Sequence, residues 1–357
     1  MRLAVDVRSL LDAEPGGVGS YTRALLDGLG HIPEMVTVPV VTGRNVAALP
    51  ETIRNQAVRC ALPNRLVNLG IATLRRPLLD RLVGTEQYLL PGWNFLALEQ
   101  KTHLTLVVHD LSFERNPYWY PLKQRIWHRA VQPRALVARA DQIIAVSRWT
   151  KQDLCSLYGT PEKKIIVIPP VVDWQMGDSS ASRPRQTVLF FGTVEDRKNP
   201  LSLLQAFELV ADTYSETHLV FAGRLGFGAS RVVAAAQKSR YRSRIQILGY
   251  VSPEKRQQLF RDATVFAYPS LYEGFGIPLL DAMRHGLPIV TGNRSAMPEV
   301  VGDAGILVDP YDVRQIADGL DAVLGNEGFA RVLGERARAR AATFATSMTS
   351  KLGEIFG

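Results

Sequence analysis

The stretch Pro269-Ser270-Leu271-Tyr272-Glu273-Gly274-Phe275-Gly276-Ile277-Pro278-Leu279-Leu280-Asp281-Ala282-Met283 decides how the rest of the chain is read. Ahead of it, Ala263-Thr264-Val265-Phe266-Ala267-Tyr268 is an apolar run rich in β-branched and aromatic residues, the pattern of a buried strand. Pro269 stops the run and a short acidic, glycine-rich turn follows. Pro278 stands where a first-turn proline is tolerated, so a helix is expected over residues 278 to 285. A strand that feeds a helix through such a turn leaves backbone N–H groups free, which makes a ready anion site. Glu273 and Asp281 lie eight residues apart across the turn, and a pure phosphate binder has little use for a carboxylate there. The combination points to a ligand with both phosphates and hydroxyls, such as a nucleotide sugar.

Working outward, the same alternation fills both halves of the chain. Strands are expected at residues 2–7, 36–41, 88–90, 104–108, 142–146 and 165–168, with helices near 20–29 and 121–140 among them. They restart at 188–191, 218–222, 245–248, 265–268, 288–290 and 306–308, with helices near 200–213, 231–238, 253–261, 278–285 and 313–324. Strands alternating with helices imply parallel sheets covered on both faces. Between the halves, residues 173–186 are polar, turn-rich and without period, which makes them the linker. The expected division is a first domain over 1–172, a second over 187–340, and a terminal helix over 341–357, part of a long helical stretch from about 329 to 356.

Length and composition fit this division. A chain of 357 residues is long for one core, and 46% hydrophobic with 21% charged residues describes a globular protein. No apolar run reaches the roughly 18 residues of a membrane span, and Asp6 and Arg8 break any leader-like stretch at the start. Cys60 and Cys155 stand far apart without metal-ligand spacing, so neither a disulfide framework nor structural zinc is expected, and a reducing cytoplasm is the default. The net charge of +8 is uneven: residues 1–173 hold 21 Lys and Arg against 15 Asp and Glu, an excess of six. Residues 54–81 carry six Arg and a single acid, Asp80, and residues 121–140 carry five basic residues and none. The mixture of apolar and basic residues from Leu66 to Arg76 reads either as an interfacial helix for an anionic membrane surface or as a core-packed helix with a solvated basic face. No nucleic-acid motif accompanies the charge, so nucleic acid is not an expected partner.

The segment from Tyr272 to Pro278, followed by Gly286-Leu287-Pro288-Ile289-Val290, resembles the signature of the retaining glycosyltransferases of family 4, also called glycosyl transferases group 1. The resemblance implies the GT-B fold: two Rossmann-like, doubly wound α/β domains facing across a cleft, with the terminal helix returning to the first domain. The second acid of that signature is usually Glu; here it is Asp281, one methylene shorter. By the same resemblance Glu273 meets a hydroxyl of the donor sugar and Asp281 the ribose, while Tyr272, Gly274 and the N–H groups of Phe275, Gly276 and Ile277 serve sugar and phosphate. The loop Gly192-Thr193-Val194-Glu195-Asp196-Arg197-Lys198-Asn199 matches the diphosphate-gripping loop of a branch that includes polysaccharide and O-antigen mannosyltransferases. Many members carry Arg directly after the glycine; Thr193 stands there, so Arg197 is expected to supply that charge with Lys198.

Further residues fall at strand ends, where open α/β sheets bind ligands. Arg224 ends one such strand, and Tyr250 and Val251 follow the next as base-pocket residues. His109-Asp110 follows an apolar strand and matches the family's His-Asp pair, with Asp110 expected to orient the imidazole. Gly17 and Gly19 fail as a dinucleotide fingerprint, lacking the third glycine, and read instead as a flexible loop near the transferred phosphate. Trp93, Asn94 and Ser147 are expected on the acceptor side.

These assignments describe transfer of a sugar from a nucleoside-diphosphate donor to a glycan or lipid-linked acceptor hydroxyl, with retention. Arg, Lys and N–H groups stabilise the departing diphosphate. No Asp-x-Asp is present, so neither metal nor other cofactor is expected. The branch implies mannose from GDP-mannose and a place in cell-surface polysaccharide synthesis, cytoplasmic and peripheral on the inner membrane face. The alternatives are a UDP- or dTDP-sugar donor, or a catalytically silent nucleotide-sugar-binding protein. A glycoside hydrolase fits less well: its carboxyls stand about 5–9.5 Å apart, whereas eight helical residues separate Cα atoms by about 12 Å.

Overall fold

The computed structural model describes residues 1–12, 16–43, 46–171, 186–344 and 348–356. The chain divides into two compact units, one of Met1–Arg115, Leu122–Val171 and Ser347–Gly357, the other of Asn116–Pro121 and Val172–Thr346. The linker expected at 173–186 lies outside the described residues except for Gln186.

The first unit is built on a seven-stranded sheet. Its strands are β1 (Arg2–Asp6), β2 (Val36–Thr42), β3 (Val58–Cys60), β4 (Gln87–Leu90), β5 (His103–Val108), β6 (Gln142–Ala145) and β7 (Ile165–Val167). All pair in parallel, in the order β3-β2-β1-β4-β5-β6-β7. Leu104, Leu106, Val107 and Val108 have no exposed surface, as expected of a strand covered on both faces. The sheet reverses its build direction between β1 and β4, so the carboxyl ends of those strands frame the switch point where this topology places ligands.

The second unit repeats the plan with β8 (Thr187–Phe191), β9 (His218–Ala222), β10 (Ile245–Gly249), β11 (Val265–Tyr268), β12 (Ile289–Gly292) and β13 (Ile306–Val308). These are again parallel, in the order β10-β9-β8-β11-β12-β13, with the switch between β8 and β11. Both sheets therefore direct attention to the loops after their first and fourth strands.

Local chemistry corrects the expected elements in four places. Edge strand β3 is three residues long, too short for a period to reveal it. The helix expected over 121–140 is two helices, Leu122–Val131 and Pro133–Arg139, because Gln132 takes a left-handed conformation (φ 54°) before a proline that cannot continue the helix. The long terminal helix is likewise two, Glu327–Ala342 and Met348–Phe356; the first closes in tight turns, with the N–H groups of Thr343 and Phe344 on the carbonyls of Arg340 and Ala341. Finally, Gly17 and Gly19 do not form a loop. The first helix begins at Gly17 and runs to Gly30, so both glycines lie in its first turn.

The last helix packs within the first unit. Leu352 is buried against Gly28 of the first helix, where an added Cβ would sit 3.0 Å from Leu352 Cδ1. Lys351 Nζ donates to the carbonyl of Val167 at the end of β7, 3.2 Å away.

Candidate functional site

In the second unit the loops after β8 and β11 are locked together by charge. Glu273 is buried, 8% exposed. Its Oε1 accepts from the Tyr268 hydroxyl at 2.8 Å and from Ser270 Oγ at 3.2 Å, and its Oε2 faces Arg197 Nη1 at 3.1 Å. Arg197 also donates to Glu195 Oε1 and to the carbonyl of Tyr272, each at 2.7 Å. The backbone closes the same seam, with Leu271 N–H on the Arg197 carbonyl at 2.8 Å and Glu273 N–H on Ser295 Oγ at 2.9 Å. Burial pushes the Glu273 carboxyl upward, yet the charges of Arg197 and Lys198 and the bonds from Tyr268 and Arg197 outweigh it, so its pKa falls below the usual carboxylate value. Glu273 is therefore an ionised group held in one place. A hydrolase's acid needs the opposite shift, so the electrostatics speak against that alternative.

Arg197 was expected to grip phosphate; its described bonds make it the brace between the two loops. Lys198 takes the forward position. Its ammonium lies over the Tyr268 ring, 5.6 Å from the centroid, and 2.8 Å from where a Cβ on Gly192 would stand. Gly192 itself has φ +134°, and Gly223 approaches so closely that a Cβ there would be 2.1 Å from the Gly192 carbonyl oxygen. Only glycines fit at these two strand ends.

Gly276, at φ +94°, turns the chain into the helix Ile277–Arg284, with Pro278 in the first turn. Phe275 is buried edge-on against Phe344, with centroids 5.6 Å apart, and the buried Tyr272 ring lies 6.3 Å from that of Trp119. Asp281 sits on the second turn, 2% exposed, and is ion-paired through Oδ2 with Arg256 Nη2. Arg256 reaches it from the helix Pro253–Asp262 while its guanidinium covers the Phe191 ring at 5.2 Å. Tyr250 is half exposed beside Arg224, whose guanidinium is 6.0 Å from its ring centroid, and Val251 follows. Thr193 lies partly exposed beyond Gly192.

The switch point of the first unit centres on one imidazole. A Cβ on Gly92 would touch Val18 Cγ1 at 3.2 Å and His109 Cδ2 at 3.7 Å, so the first helix turn, the β4 end and the β5 end converge. Tyr21 packs edge-on to His109 at 5.1 Å. His109 Nε2 lies 2.8 Å from the Pro91 carbonyl, which can only accept; Nε2 therefore carries the proton and Nδ1 is an acceptor. Burial lowers the His109 pKa, and the Pro91 bond and the Asp110 charge offset this only in part, so the ring is neutral. This corrects the role given to Asp110: Pro91 orients the imidazole, while Asp110 Oδ1 accepts from Ser112 N–H at 3.0 Å and from Ser112 Oγ.

The acceptor-side residues divide. Trp93 Nε1 donates to the Asp110 carbonyl at 3.3 Å, and Asn94 Oδ1 accepts from Phe95 N–H at 2.9 Å. Ser147 has no exposed surface, and its Oγ caps the helix Arg148–Tyr158 by accepting from Thr150 N–H at 3.0 Å, so it offers nothing to an acceptor. Three groups escaped the sequence reading: Tyr268 and Glu195, which flank the Glu273–Arg197 pair, and Arg256, which holds Asp281. Tyr268 was readable as a strand-end phenol five residues before the acid; Arg256 carried no local signal, because only the packing of two helices brings it to Asp281.

Two parallel-sheet Rossmann-like domains with polar groups gathered at each switch point define a GT-B protein. Residues 15–175 match the family described as Glycosyltransferase Family 4, and residues 175–340 match Glycosyl transferases group 1. The chain belongs to the glycosyltransferases of family 4 and is a glycosyltransferase. It is 27% identical to the O-antigen chain mannosyltransferase B of Escherichia coli, over 92% of each chain. The fold matches sucrose-phosphate synthase from Thermosynechococcus elongatus with a TM-score of 0.80 at 16% identity, covering 100% of this chain and 98% of that one. It also matches Anabaena HepE in complex with UDP and glucose, with a TM-score of 0.72 at 18% identity over 99% and 98%.

Proposed function

We propose that this glycosyltransferase moves mannose from GDP-mannose to a hydroxyl of a glycan or lipid-linked oligosaccharide, with retention and without a metal ion, in the synthesis of a cell-surface polysaccharide. The observation that carries the reading is the ionised, buried Glu273 locked to Arg197, with Lys198 standing over the glycine turn. It supplies a fixed acceptor for a sugar hydroxyl beside a cation and the N-terminus of the helix Ile277–Arg284, which suit a diphosphate. The similarity to an O-antigen mannosyltransferase over nearly the whole chain supports mannose, and a fold neighbour's complex with UDP and glucose supports a nucleotide-sugar donor.

In the reaction the bond from the sugar's anomeric carbon to the β-phosphate oxygen breaks, and the acceptor oxygen bonds to that carbon on the same face. The acceptor's proton passes to the departing phosphate oxygen. Lys198 and the N–H groups of residues 275–277 stabilise the charge on the leaving diphosphate, while Arg197 holds Glu273 and the two loops in place. Neutral His109 accepts a hydroxyl hydrogen bond through Nδ1, a role a cationic imidazole could not fill. Asp281 meets the ribose together with its partner Arg256, the arginine making up the reach that the shorter acid lacks.

The test is a thermal-shift series with GDP, UDP, dTDP and ADP and their sugars, in EDTA, followed by transfer assays with the donor that binds. A shift of several degrees with GDP and GDP-mannose, then turnover in EDTA, is the expected result. A preference for another base overturns the donor. Tight binding with neither transfer nor slow donor hydrolysis favours the silent binding protein, and a strict manganese requirement refutes the metal-free scheme.

A further inference from the structure

The turn that carries Glu273 is gripped from the neighbouring strand end, by residues that belong to none of the motifs. Strand β12 lies beside β11, with Thr291 opposite Tyr268, and Thr291 Oγ1 donates to the Tyr268 carbonyl at 2.7 Å. Gly292 lies flush against the turn: a Cβ there would stand 2.7 Å from the Ser270 carbonyl oxygen. Glu273 is then held by both of its backbone groups. Its N–H donates to Ser295 Oγ at 2.9 Å, and its carbonyl accepts from Ala296 N–H at 3.3 Å.

Ser295 makes its bond from a strained backbone. Its φ is 53°, in the left-handed region that a Cβ disfavours. Among the described residues, Glu34, Arg75, Gln132 and Asn199 share this feature, and all four are exposed or partly so. Ser295 alone of the five is buried, 6% exposed. In the second unit the other such residue is Asn199, directly after Lys198, and Asn tolerates the conformation better than Ser does. Both therefore stand on loops of the site, which is where strain of this kind gathers. A glycine at 295 would take the same φ freely, so the turn by itself does not explain a serine. Its hydroxyl does, because the N–H of a buried residue is costly to leave unpaired. Tyr268, Ser270 and Arg197 fix the carboxylate of Glu273, and Ser295 fixes the backbone on which that carboxylate stands.

We infer that Ser295 is a positioning residue for sugar transfer, its left-handed backbone kept so that its hydroxyl holds the Glu273 turn in one arrangement. The inference rests on the reading that Glu273 serves the transfer.

Two variants separate positioning from folding. Ser295→Gly removes the hydroxyl and relieves the backbone, so it should melt within about 2 °C of the wild type. Ser295→Ala removes the hydroxyl and keeps the strain, so it should melt lower than the glycine variant. Turnover is followed as release of GDP from GDP-mannose, with water or a mannose disaccharide as acceptor, and Glu273→Gln is run beside them. Both Ser295 variants should lose kcat by about 10–10²-fold, with the donor KM changed less than about threefold. A serine that served folding alone would give a loss in the alanine variant and none in the glycine variant. Hydrogen exchange of the peptide over residues 271–277 supplies a readout independent of turnover, and it should quicken in both variants. Wild-type kcat in Ser295→Gly beside an inactive Glu273→Gln overturns this inference alone, as does a loss confined to the donor KM. Full turnover by Glu273→Gln overturns the reading of Glu273 on which the inference rests. Unchanged exchange in both Ser295 variants overturns the inference whatever the turnover.

Discussion

At the second sheet's switch point, Glu195, Arg197, Lys198 and Glu273 stand within a few ångströms of one another, and two glycines with φ above +130° let the strand ends close on them. At the first sheet's switch point the corresponding loops surround a neutral imidazole. The charged pair there, Asp6 and Arg8, is turned on itself, with Arg8 Nε donating to both carboxylate oxygens at 2.9–3.0 Å. The two domains share a topology and differ in what their strand ends carry. Fixed charges are worth most where charge develops during reaction, as on a departing diphosphate, and in the second domain they are mutually anchored, so little reorganisation is needed. A neutral hydrogen-bond acceptor suits a hydroxyl. Duplicating a fold thus leaves each copy free to specialise through a handful of loop residues.

The largest expected effect tests the charged centre. Glu273→Gln keeps the shape and the Tyr268 contact but removes the negative charge facing Arg197. Turnover measured as kcat/KM should fall about 10²–10³-fold, roughly 3–4 kcal/mol of transition-state stabilisation. The fold should survive, because Arg197 retains Glu195 and the Tyr272 carbonyl. Wild-type turnover would remove Glu273 from the mechanism and erase the contrast between the domains.

A pair of glycine variants sharpens the comparison at smaller magnitude. Gly192→Ala must hold φ +134° and displace the Lys198 ammonium, a combination that should cost about 1–3 kcal/mol of stability and raise the donor KM. Gly92→Ala, after the fourth strand at the switch point of the first domain, meets Val18 Cγ1 at 3.2 Å and the His109 ring only at 3.7 Å or more, and has no left-handed backbone to strain. It should cost less than about 1 kcal/mol and leave donor KM unchanged. Denaturant melts and donor titrations of both variants decide the matter; equal losses would show that the two strand ends are under the same constraint.

Much of this was legible from residue order, for identifiable reasons. Strands β9, β11 and β13 fall on the expected residues because each is a largely apolar run ended by a glycine, a proline or an acid. Glu273 and the turn at Gly276 were readable because the local chemistry of a turn and a helix start is written in consecutive residues. What was not legible depends on packing between segments far apart in sequence. Arg256 reaches Asp281 across 25 residues, Pro91 fixes the imidazole of His109 across 18, and Ser295 braces the backbone of Glu273 across 22. The break at Gln132 is a second kind of miss: Pro133 marks it in the sequence, whereas the left-handed conformation of the non-glycine residue before it leaves no mark of its own.

The smallest expected effect probes the neutral centre through pH. His109 has a pKa lowered by burial, so the folded protein binds its proton less readily than the unfolded chain does, whose imidazole titrates near 6.5. Above that pH both states are neutral and the residue adds no pH dependence. Below it the unfolded state takes up a proton that the folded state refuses, so stability falls as pH falls, by up to about 1.4 kcal/mol per pH unit. His128 and His285, also lowered by burial, act in the same direction, and Glu273 adds its own loss at more acid pH as its carboxylate is protonated. His109→Gln isolates one contribution, because its amide can still donate to Pro91 but does not titrate. Urea melts of wild type and variant should therefore run parallel above pH 7 and converge below pH 6.5, the wild type losing more. Curves that stay parallel down to pH 5 would mean that the imidazole is protonated in the folded state as readily as in the unfolded one, and the contrast between a neutral first site and a charged second one would then fail in acid.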